Sequence, residues 1–292
     1  MASTIVLKRR ITSIRNTRQI TKAMELVSAS KLRKSQEYAN QSRSYYQLAQ
    51  ELLARLSSIK EVEAQPLFIK RQIKKRLYVV ITSNSGLAGA YNANVLKLLT
   101  TDLNQFKGGI QDNQVISVGN KGAQFVRRIQ EANLLAVYPS FGDRPSANDI
   151  RPILNTVISG YKDNSYDEVR LIYTAFQSTM VQQANDMVLL PAHKLEEYQK
   201  PTSFISNFEP DVETVVDQVA TRLIEAQIWQ AVLESLASEN AMRMVAMKNA
   251  SDNAKDLIED YTLELNTARQ AAITQELAEI SGGVEALREI GG

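Results

Sequence analysis

The chain of 292 residues contains no cysteine and a single histidine, His193. Without cysteine it can form no disulfide, no thiolate metal site and no cysteine nucleophile. One histidine excludes any metal centre or proton relay that needs two imidazoles. No apolar run approaches the roughly 20 residues that a membrane span requires, and the N-terminus lacks the apolar core of a signal peptide. We therefore predict a soluble, intracellular protein without cofactor, metal or membrane span.

Proline and glycine are missing from long stretches at both ends of the sequence. All seven prolines lie within 66–210, and the twelve glycines lie within 86–160 or beyond residue 281. Inside a helix a proline costs about 3 kcal/mol and a glycine about 1 kcal/mol, so long helices can persist at the two ends. We predict helices over about 5–58 and 211–281. Their lengths would be roughly 80 and 105 Å, at a rise of about 1.5 Å per residue.

Both ends show the spacing of three and four residues that is typical of a coiled-coil seam. In the first segment a basic line repeats every seven residues, and Ile20, Met24 and Val27 lie beside the seam. The predicted seam comprises Leu7, Ile11, Ile14, Thr21, Ser28 and Leu32, and then Leu233, Leu236, Asn240, Met244, Met247, Ser251, Ala254, Ile258, Tyr261, Leu265 and Ala268.

Charge indicates that the two helices pair. Residues 1–35 carry a net charge of +8, whereas residues 211–292 carry −9. Complementary charges beside a seam help to select the partner helix. We predict an antiparallel pair in which the C-terminal helix is longer by some 17 residues. Its end should project alone. The start of that helix is marked by acids and its stop by two glycines: Asp211, Glu213, Asp217 and Gly282–Gly283.

The middle of the chain has a different pattern, with short β-branched runs between helical stretches. Strands alternating with helices indicate an α/β domain with a largely parallel, Rossmann-like sheet. The division is then an N-terminal helix at 1–65, an α/β domain at 75–195 and a C-terminal helix at 208–284. The predicted strands are 77–82, 114–118 and 168–176 with a further segment at 189–191, and the predicted helices are 92–105, 121–131 and 147–161.

The middle lacks the motifs of known catalytic sites. The loop SNSGLAGA at 83–90 has neither the Gly-Lys-Ser/Thr of a phosphate loop nor three fingerprint glycines, so we expect Gly86 and Gly89 to serve a tight turn. The turn at 119–122 is equally unspecific. Ser83 and Ser85 lack a G-x-S-x-G setting. Carboxylates in polar loops are expected to be solvated; these are Asp143, Asp149, Asp163, Asp167 and Glu168.

Three blocks, in order, resemble the gamma subunit of F-type ATP synthase. They are NTRQITKAMELVSASKLRKSQ at 16–36, ENAMRMVAMKNASDNA at 239–254 and ARQAAITQELAEI at 268–280. The strand and turn at 81–92 correspond to a sheet-edge motif of that family. There the family often has Asp-Arg, whereas this chain has Asn84–Ser85, and Ala90 replaces a usual glycine. The absence of a presequence favours a bacterial member.

The resemblance implies a central rotor shaft with no catalytic residues of its own. It implies alpha and beta subunits around the coiled coil, an epsilon subunit and a membrane c-ring against the α/β domain, and a peripheral place on the cytoplasmic face of the bacterial plasma membrane. At the tip of the C-terminal helix, residues 271–287, small apolar side chains would rotate inside an apolar sleeve formed by the surrounding subunits. The partner-contact residues that it implies are Lys8, Arg9, Met24, Arg243, Arg269, Gln270, Thr274 and Glu276.

Other functions are compatible with parts of this pattern. A coiled coil that binds nucleic acid would also carry a basic arm, because phosphate neutralisation dominates such binding. Against it, the basic segment has an acidic partner helix, and Tyr38, Tyr45 and Tyr46 all lie beyond the basic cluster. An α/β enzyme and a coiled-coil scaffold are the remaining alternatives.

Overall fold

The computed structural model describes residues 4–56, 62, 64–106, 109, 111–142, 145–192 and 212–290. Both long terminal helices are present, and most of the strands and helices predicted between them are found within a few residues of their expected bounds. The elements are α1 (Thr4–Leu56), β1 (Arg76–Ile81), α2 (Tyr91–Phe106), β2 (Asn113–Val118), α3 (Asn120–Val126), β3 (Asn133–Tyr138), α4 (Ala147–Lys162), β4 (Glu168–Phe176), β5 (Gln182–Leu190) and α5 (Val212–Ile290).

The five strands form one sheet in the order β3-β2-β1-β4-β5. Strands β1 to β4 run parallel, and β5 pairs antiparallel with β4. Every residue of β1 from Leu77 to Ile81 is buried, as in parallel strands that are covered on both faces. The α/β class predicted from the sequence is confirmed.

Two strands differ from the prediction. Strand β3 was missed, and only the end of β5 was expected. Residues of β3 alternate between exposed and half-buried, and β5 begins with the polar sequence QQAND. Both are edge strands, so neither has the continuous apolar run that marks a buried strand.

Two helix ends also differ from the prediction. Helix α3 ends at Val126 rather than 131. Helix α5 does not stop at Gly282–Gly283 but continues to Ile290. A Cβ placed on either glycine would meet nothing within 4 Å, so no neighbouring group forces the chain to turn there. Two glycines cost only about 2 kcal/mol in a helix, and the residues that follow, VEALREI, include good helix formers.

The chain forms two compact units. One comprises the residues up to Val27 together with those from Met244 on, and the other comprises 28–243. Both long helices contribute to each unit. The division into 1–65, 75–195 and 208–284 stays a prediction. In the described part of the chain, no helix combines the length and the apolarity that crossing a membrane would need.

Residues of β1 alternate between two apolar clusters on opposite faces of the sheet. Leu77, Val79 and Ile81 belong to a cluster with residues of α4 and α5, whereas Tyr78 and Val80 belong to one with α2 and α3. Two serines also fasten α5 to strand β4, since Ser235 Oγ accepts from the backbone N of Thr174 and Ser238 Oγ donates to its carbonyl.

The terminal helices pair in both units. In the larger unit Asn240 Nδ2 donates to Ser35 Oγ at 3.4 Å, and a groove further along is lined by Leu52 of α1 and Gln218 of α5. Residue numbers therefore rise on one helix as they fall on the other, which confirms the antiparallel pair. In the smaller unit the Arg10 guanidinium lies 5.8 Å from the centre of the Tyr261 ring. The N-terminal seam residues that are buried are Leu7, Ile11, Thr21, Ser28 and Leu32.

Candidate functional site

The last turns of α5 are exposed to solvent from Arg269 to Val284. Four apolar side chains in this stretch follow the spacing i, i+4, i+7, i+11, which places them on one face of the helix. Their exposed fractions range from 49% for Ile273 to 64% for Ile280. A row of large apolar side chains left in water indicates a surface that a partner covers. The row comprises Ile273, Leu277, Ile280 and Val284.

Four of the residues implied as partner contacts share this exposed stretch. Arg269, Gln270, Thr274 and Glu276 lie within two turns, and all four are exposed. The Thr274 hydroxyl donates to the carbonyl of Gln270 at 2.9 Å, so it is bound to its own helix. The charged groups of Arg269 and Glu276 can still accept ionic partners from another chain.

The basic residues of α1 form a second exposed surface in the smaller unit. Lys8, Arg9 and Arg15 are exposed. Lys22 forms an ion pair at 3.0 Å with Glu25, one turn later on the same helix. Met24 is half-buried, whereas its neighbour Val27 is 54% exposed. Met24 therefore has part of its surface available to a partner.

Arg243 is placed differently from the other implied contact residues. Only 12% of its side chain is exposed, and its Nη1 lies 2.8 Å from Glu239 Oε1, one turn earlier on α5. Its Nη2 lies 3.4 Å from both Ser85 Oγ and the carbonyl oxygen of Gly86. The guanidinium thus joins α5 to the turn after β1. Burial raises the pKa of the Glu239 carboxyl, and the charge of Arg243 opposes that shift.

The turn after β1 has the backbone geometry of a tight loop. Leu87 and Gly89 both have positive φ, at 60° and 56°. Ser83 is fastened to the start of α2, because its backbone N donates to Asn92 Oδ1 at 3.0 Å. Asn84 Oδ1 accepts from the backbone N of Ser140 at 3.1 Å. The tight turn expected here is confirmed at Gly89, whereas Gly86 has no positive φ and open space around it.

The turn after β2 is closed by glycines that pack on Thr82, the residue that follows β1. Gly119 has a φ of 97°, and a Cβ there would lie 2.2 Å from the carbonyl oxygen of Thr82. A Cβ on Gly122 would meet Ser117 Oγ at 2.5 Å. The backbone N of Gly122 donates to Thr82 Oγ1 at 2.9 Å, so this amide is directed inward rather than toward a ligand. Both glycines therefore serve close packing.

The serines at this edge of the sheet are engaged in structural bonds. Ser83 Oγ donates to the carbonyl of Ser85 at 2.6 Å and receives a bond from Asn92 Nδ2 at 2.8 Å. His193, the single imidazole that could act as a base, lies outside the described residues. Among the described residues, no group of three or more histidine or acidic side chains could hold a metal ion.

A buried ionic cluster lies at the opposite end of the strands, and sequence reasoning missed it. Asp102 of α2 accepts from Arg76 at 3.2 Å, from Arg170 at 3.0 Å and from the Tyr78 hydroxyl at 2.7 Å. Arg76 Nε also lies 2.6 Å from a carboxylate oxygen of Glu168. The cluster ties α2 to β1, β4 and β5, and its members are Arg76, Tyr78, Asp102, Glu168, Arg170 and Asp186.

Of the five carboxylates expected to be solvated, Glu168 is buried, and Asp149 and Asp167 accept hydrogen bonds from backbone amides. Glu168 begins β4, is only 7% exposed and has a pKa raised by burial, although Arg76 and Arg170 oppose the shift. The prediction for Glu168 was wrong because its nearest ionic partner, Arg76, is distant in sequence. Asp149 closes the start of α4 in a capping box with Ser146. Asp167 accepts from two exposed backbone amides, and Asp143 lies outside the described residues.

Comparisons with known proteins agree with this architecture. The ATP synthase family model matches residues 3–287. The chain is 39% identical over 288 residues to the ATP synthase gamma chain of Xylella fastidiosa strain M23, covering 98% of this chain and 100% of that one. It is 40% identical over 287 residues to the ATP synthase gamma chain of Desulfitobacterium hafniense, with the same shares covered.

Solved structures give the same result for the fold. The chain is similar to one in the central stalk and c-ring structure of the Tetrahymena thermophila mitochondrial ATP synthase. The TM-score is 0.61 at 25% identity, over 80% of this chain and 99% of that one. A chain of the Euglena gracilis mitochondrial ATP synthase gives a TM-score of 0.69 at 20% identity, over 97% and 94%. With its paired terminal helices and central α/β sheet, this chain belongs to the gamma chain family of ATP synthase.

Proposed function

We propose that this chain is the central shaft of a rotary ATP synthase. In this role it couples rotation of a proton-driven c-ring in the membrane to conformational changes in a hexamer of alpha and beta subunits. An epsilon subunit and the c-ring would both contact the α/β domain. The chain is a subunit of ATP synthase, and we assign the catalytic groups to the surrounding subunits rather than to it.

The observation that carries this proposal is the exposed apolar row at the end of α5. A single helix that leaves Ile273, Leu277 and Ile280 in water gains free energy when a partner covers them, at about 25 cal/mol per Å² of apolar surface buried. An apolar surface without directional bonds suits a rotating contact, since no single angle is strongly favoured. A sleeve formed by a ring of subunits would provide this cover.

Contacts that engage at particular angles need charge or hydrogen bonds. We assign this role to Arg269, Gln270, Thr274 and Glu276 on α5, and to Lys8, Arg9 and Met24 on α1. The resemblance also implies Arg243 as a partner contact, but its guanidinium contacts Glu239, Ser85 and Gly86 of its own chain. Because the shaft is asymmetric, it presents different groups to each subunit of the ring. Such differential contact stabilises one conformation of a catalytic site over another, and rotation by a third of a turn exchanges the sites.

The complex is associated with a membrane through partners rather than through a span in the described helices. We propose that the chain is peripheral on the cytoplasmic face of the bacterial plasma membrane. Inverted membrane vesicles expose the cytoplasmic face of the membrane on their outside. Digestion of the chain by protease added to such vesicles would support this placement. Protection from protease in such vesicles contradicts it.

Native mass spectrometry of the complex that purifies with the tagged chain tests the proposed function. The expected result is one copy of this chain with three alpha and three beta subunits. A complex that lacks alpha and beta subunits, or one that contains several copies of this chain, would contradict it. Recovery of DNA or RNA with the chain at moderate salt would favour the nucleic-acid alternative.

A further inference from the structure

The guanidinium of Arg243 makes its contacts with groups of its own chain. Both terminal nitrogens have internal neighbours: Nη1 pairs with Glu239 at 2.8 Å, and Nη2 lies 3.4 Å from Ser85 Oγ and from the Gly86 carbonyl oxygen. Its side chain is 12% exposed, so little of it is available to another subunit. A partner subunit that bound the Arg243 guanidinium directly would have to displace these contacts.

The group that is exposed beside it is Leu87. This side chain is 62% exposed and follows Gly86 in the turn that Arg243 contacts. Its φ of 60° places a leucine in the left-handed region, which L-residues rarely adopt because Cβ approaches the following carbonyl oxygen. Such backbone persists where surrounding contacts hold it in place, and it is often found at functional sites.

The contacts that hold this turn come from three sides. Asn92 fixes its first residue, Ser83, and Asn84 joins the next position to Ser140. These bonds hold the arm of the turn that follows β1. The apex at Ser85 and Gly86 is contacted by Arg243, from α5. Since Glu239 holds the other side of the guanidinium, the pair acts as a brace between α5 and the apex.

We propose that Arg243 is a positioning residue: it braces the turn 83–88 so that Leu87 is presented as the apolar contact to a subunit of the surrounding ring. The proposal rests on the proposed function, because the ring supplies the partner. It differs from a direct contact by Arg243, in which the guanidinium itself would bind a subunit. The two models predict different results when Leu87 and Arg243 are changed together.

The brace itself can be tested on the full chain without any partner. Because the chain has no cysteine, Gly86→Cys provides a single site for a nitroxide spin label, and a Cβ there meets nothing within 4 Å. We expect Arg243→Ala to increase the mobility of the label in its electron paramagnetic resonance spectrum. Arg222→Ala is the matched control, since Arg222 is on the same helix but exposed and paired with Glu225. Unchanged mobility in Arg243→Ala would overturn the proposal.

The link to the ring is tested by a double-mutant cycle on ATP hydrolysis by the reconstituted complex. If Arg243 acts through the turn, the rate with Leu87→Ala plus Arg243→Ala should be within about twofold of the rate with Leu87→Ala alone. The control pair is Leu87→Ala with Arg269→Ala, whose exposed guanidinium should contribute independently. The proposal would be overturned if the two substitutions of the first pair reduced the hydrolysis rate independently, so that their fold-reductions multiplied. It would also be overturned if Leu87→Ala had no effect on the rate.

These two experiments separate the inference from the proposed function. If the unmodified chain fails to assemble with alpha and beta subunits, the proposed function fails. The spin-label result is then unaffected, because it is measured on the chain alone. If the complex assembles and hydrolyses ATP but the cycle is additive, Arg243 does not act on the ring through Leu87 and the proposal is wrong, while the proposed function stands.

Discussion

Arg170 of β4 donates to Asp102 Oδ1 of α2 at 3.0 Å, although 68 residues separate them in the chain. The same carboxylate accepts from Arg76 and from the hydroxyl of Tyr78, which is fully buried. Because Asp102 contacts groups on two strands, it fixes α2 on its face of the sheet. The free energy of unfolding should depend strongly on this one carboxylate.

Asp102→Ala should lower the free energy of unfolding by at least about 2 kcal/mol, since it leaves the buried Tyr78 hydroxyl and guanidinium hydrogens without an acceptor. Asp102→Asn should cost less, because its amide oxygen can still accept. Urea denaturation measures both. Lys255→Ala is the control: its partner Glu259 is 3.7 Å away, both side chains are exposed, and about 0.5 kcal/mol or less is expected. Equal effects of Asp102→Ala and Lys255→Ala would contradict a structural role for the cluster.

The glycines at the sheet edge give a second prediction about stability. Gly119→Ala should destabilise the chain by more than about 2 kcal/mol, because its φ is positive and its Cβ would overlap the backbone of Thr82. Gly86→Ala, where nothing lies within 4 Å, should change stability by less than about 0.5 kcal/mol. Denaturation curves for the two variants are compared directly. If Gly119→Ala is as stable as Gly86→Ala, the turn after β2 can shift to accommodate a Cβ, and the prediction is wrong.

Glu234 gives a prediction about pH. Burial raises the pKa of its carboxyl above the ordinary value, although Gln230 donates to it at 2.9 Å. The folded chain therefore holds this proton more tightly than the unfolded chain. The contribution of Glu234 to stability is fully present below its unfolded pKa and is lost as pH rises through the folded pKa. The curve of unfolding free energy against pH should fall less steeply above about pH 4.5 in Glu234→Gln. An identical slope in both proteins would contradict the raised pKa.

The tip of α5 is tested by placing a charge on its apolar row. In the chain alone, Ile273→Asp and its matched control Ile273→Asn should have similar stability, because the site is exposed and the two residues have similar helix propensity. In the complex with alpha and beta subunits, the carboxylate would be buried without a partner, which costs several kcal/mol. Complex yield should therefore fall far more with Asp than with Asn.

Removal of residues 285–292 is a second control for the tip. This truncation leaves the apolar row intact, so hydrolysis by the assembled complex should survive it. If the truncation harms assembly more than Ile273→Asp does, the end of the chain is a specific anchor. The apolar-sleeve model would then be wrong.

Much of the architecture could be predicted because it depends on local signals. The absence of proline and glycine predicts the two long helices, and the fully apolar run in β1 predicts a buried strand. Sequence signals that span only a few residues predicted helix ends and edge strands less reliably. Gly282–Gly283 failed as a helix stop because two exposed glycines are outweighed by the helix formers around them. The edge strands β3 and β5 lack the apolar run on which the prediction relied.

The candidate site could be predicted only in part. The exposed tip follows from the difference in helix length, but the brace at Arg243 requires residues 157 positions apart to meet. The pairing of Glu168 and Asp102 with Arg76 is equally non-local. Spacing within one helix or strand carries no information about such contacts. They depend on the order of strands in the sheet, which the sequence pattern did not specify.

Direct observation of rotation is the most decisive test of the shaft. Because the chain has no cysteine, Thr101→Cys on the exposed side of α2 can carry a single optical probe. The labelled chain is assembled with alpha and beta subunits that are fixed to a surface, and ATP is added. If the chain is the shaft, the probe will rotate in one direction with pauses every third of a turn. A probe that stays stationary while the same complexes hydrolyse ATP would contradict it.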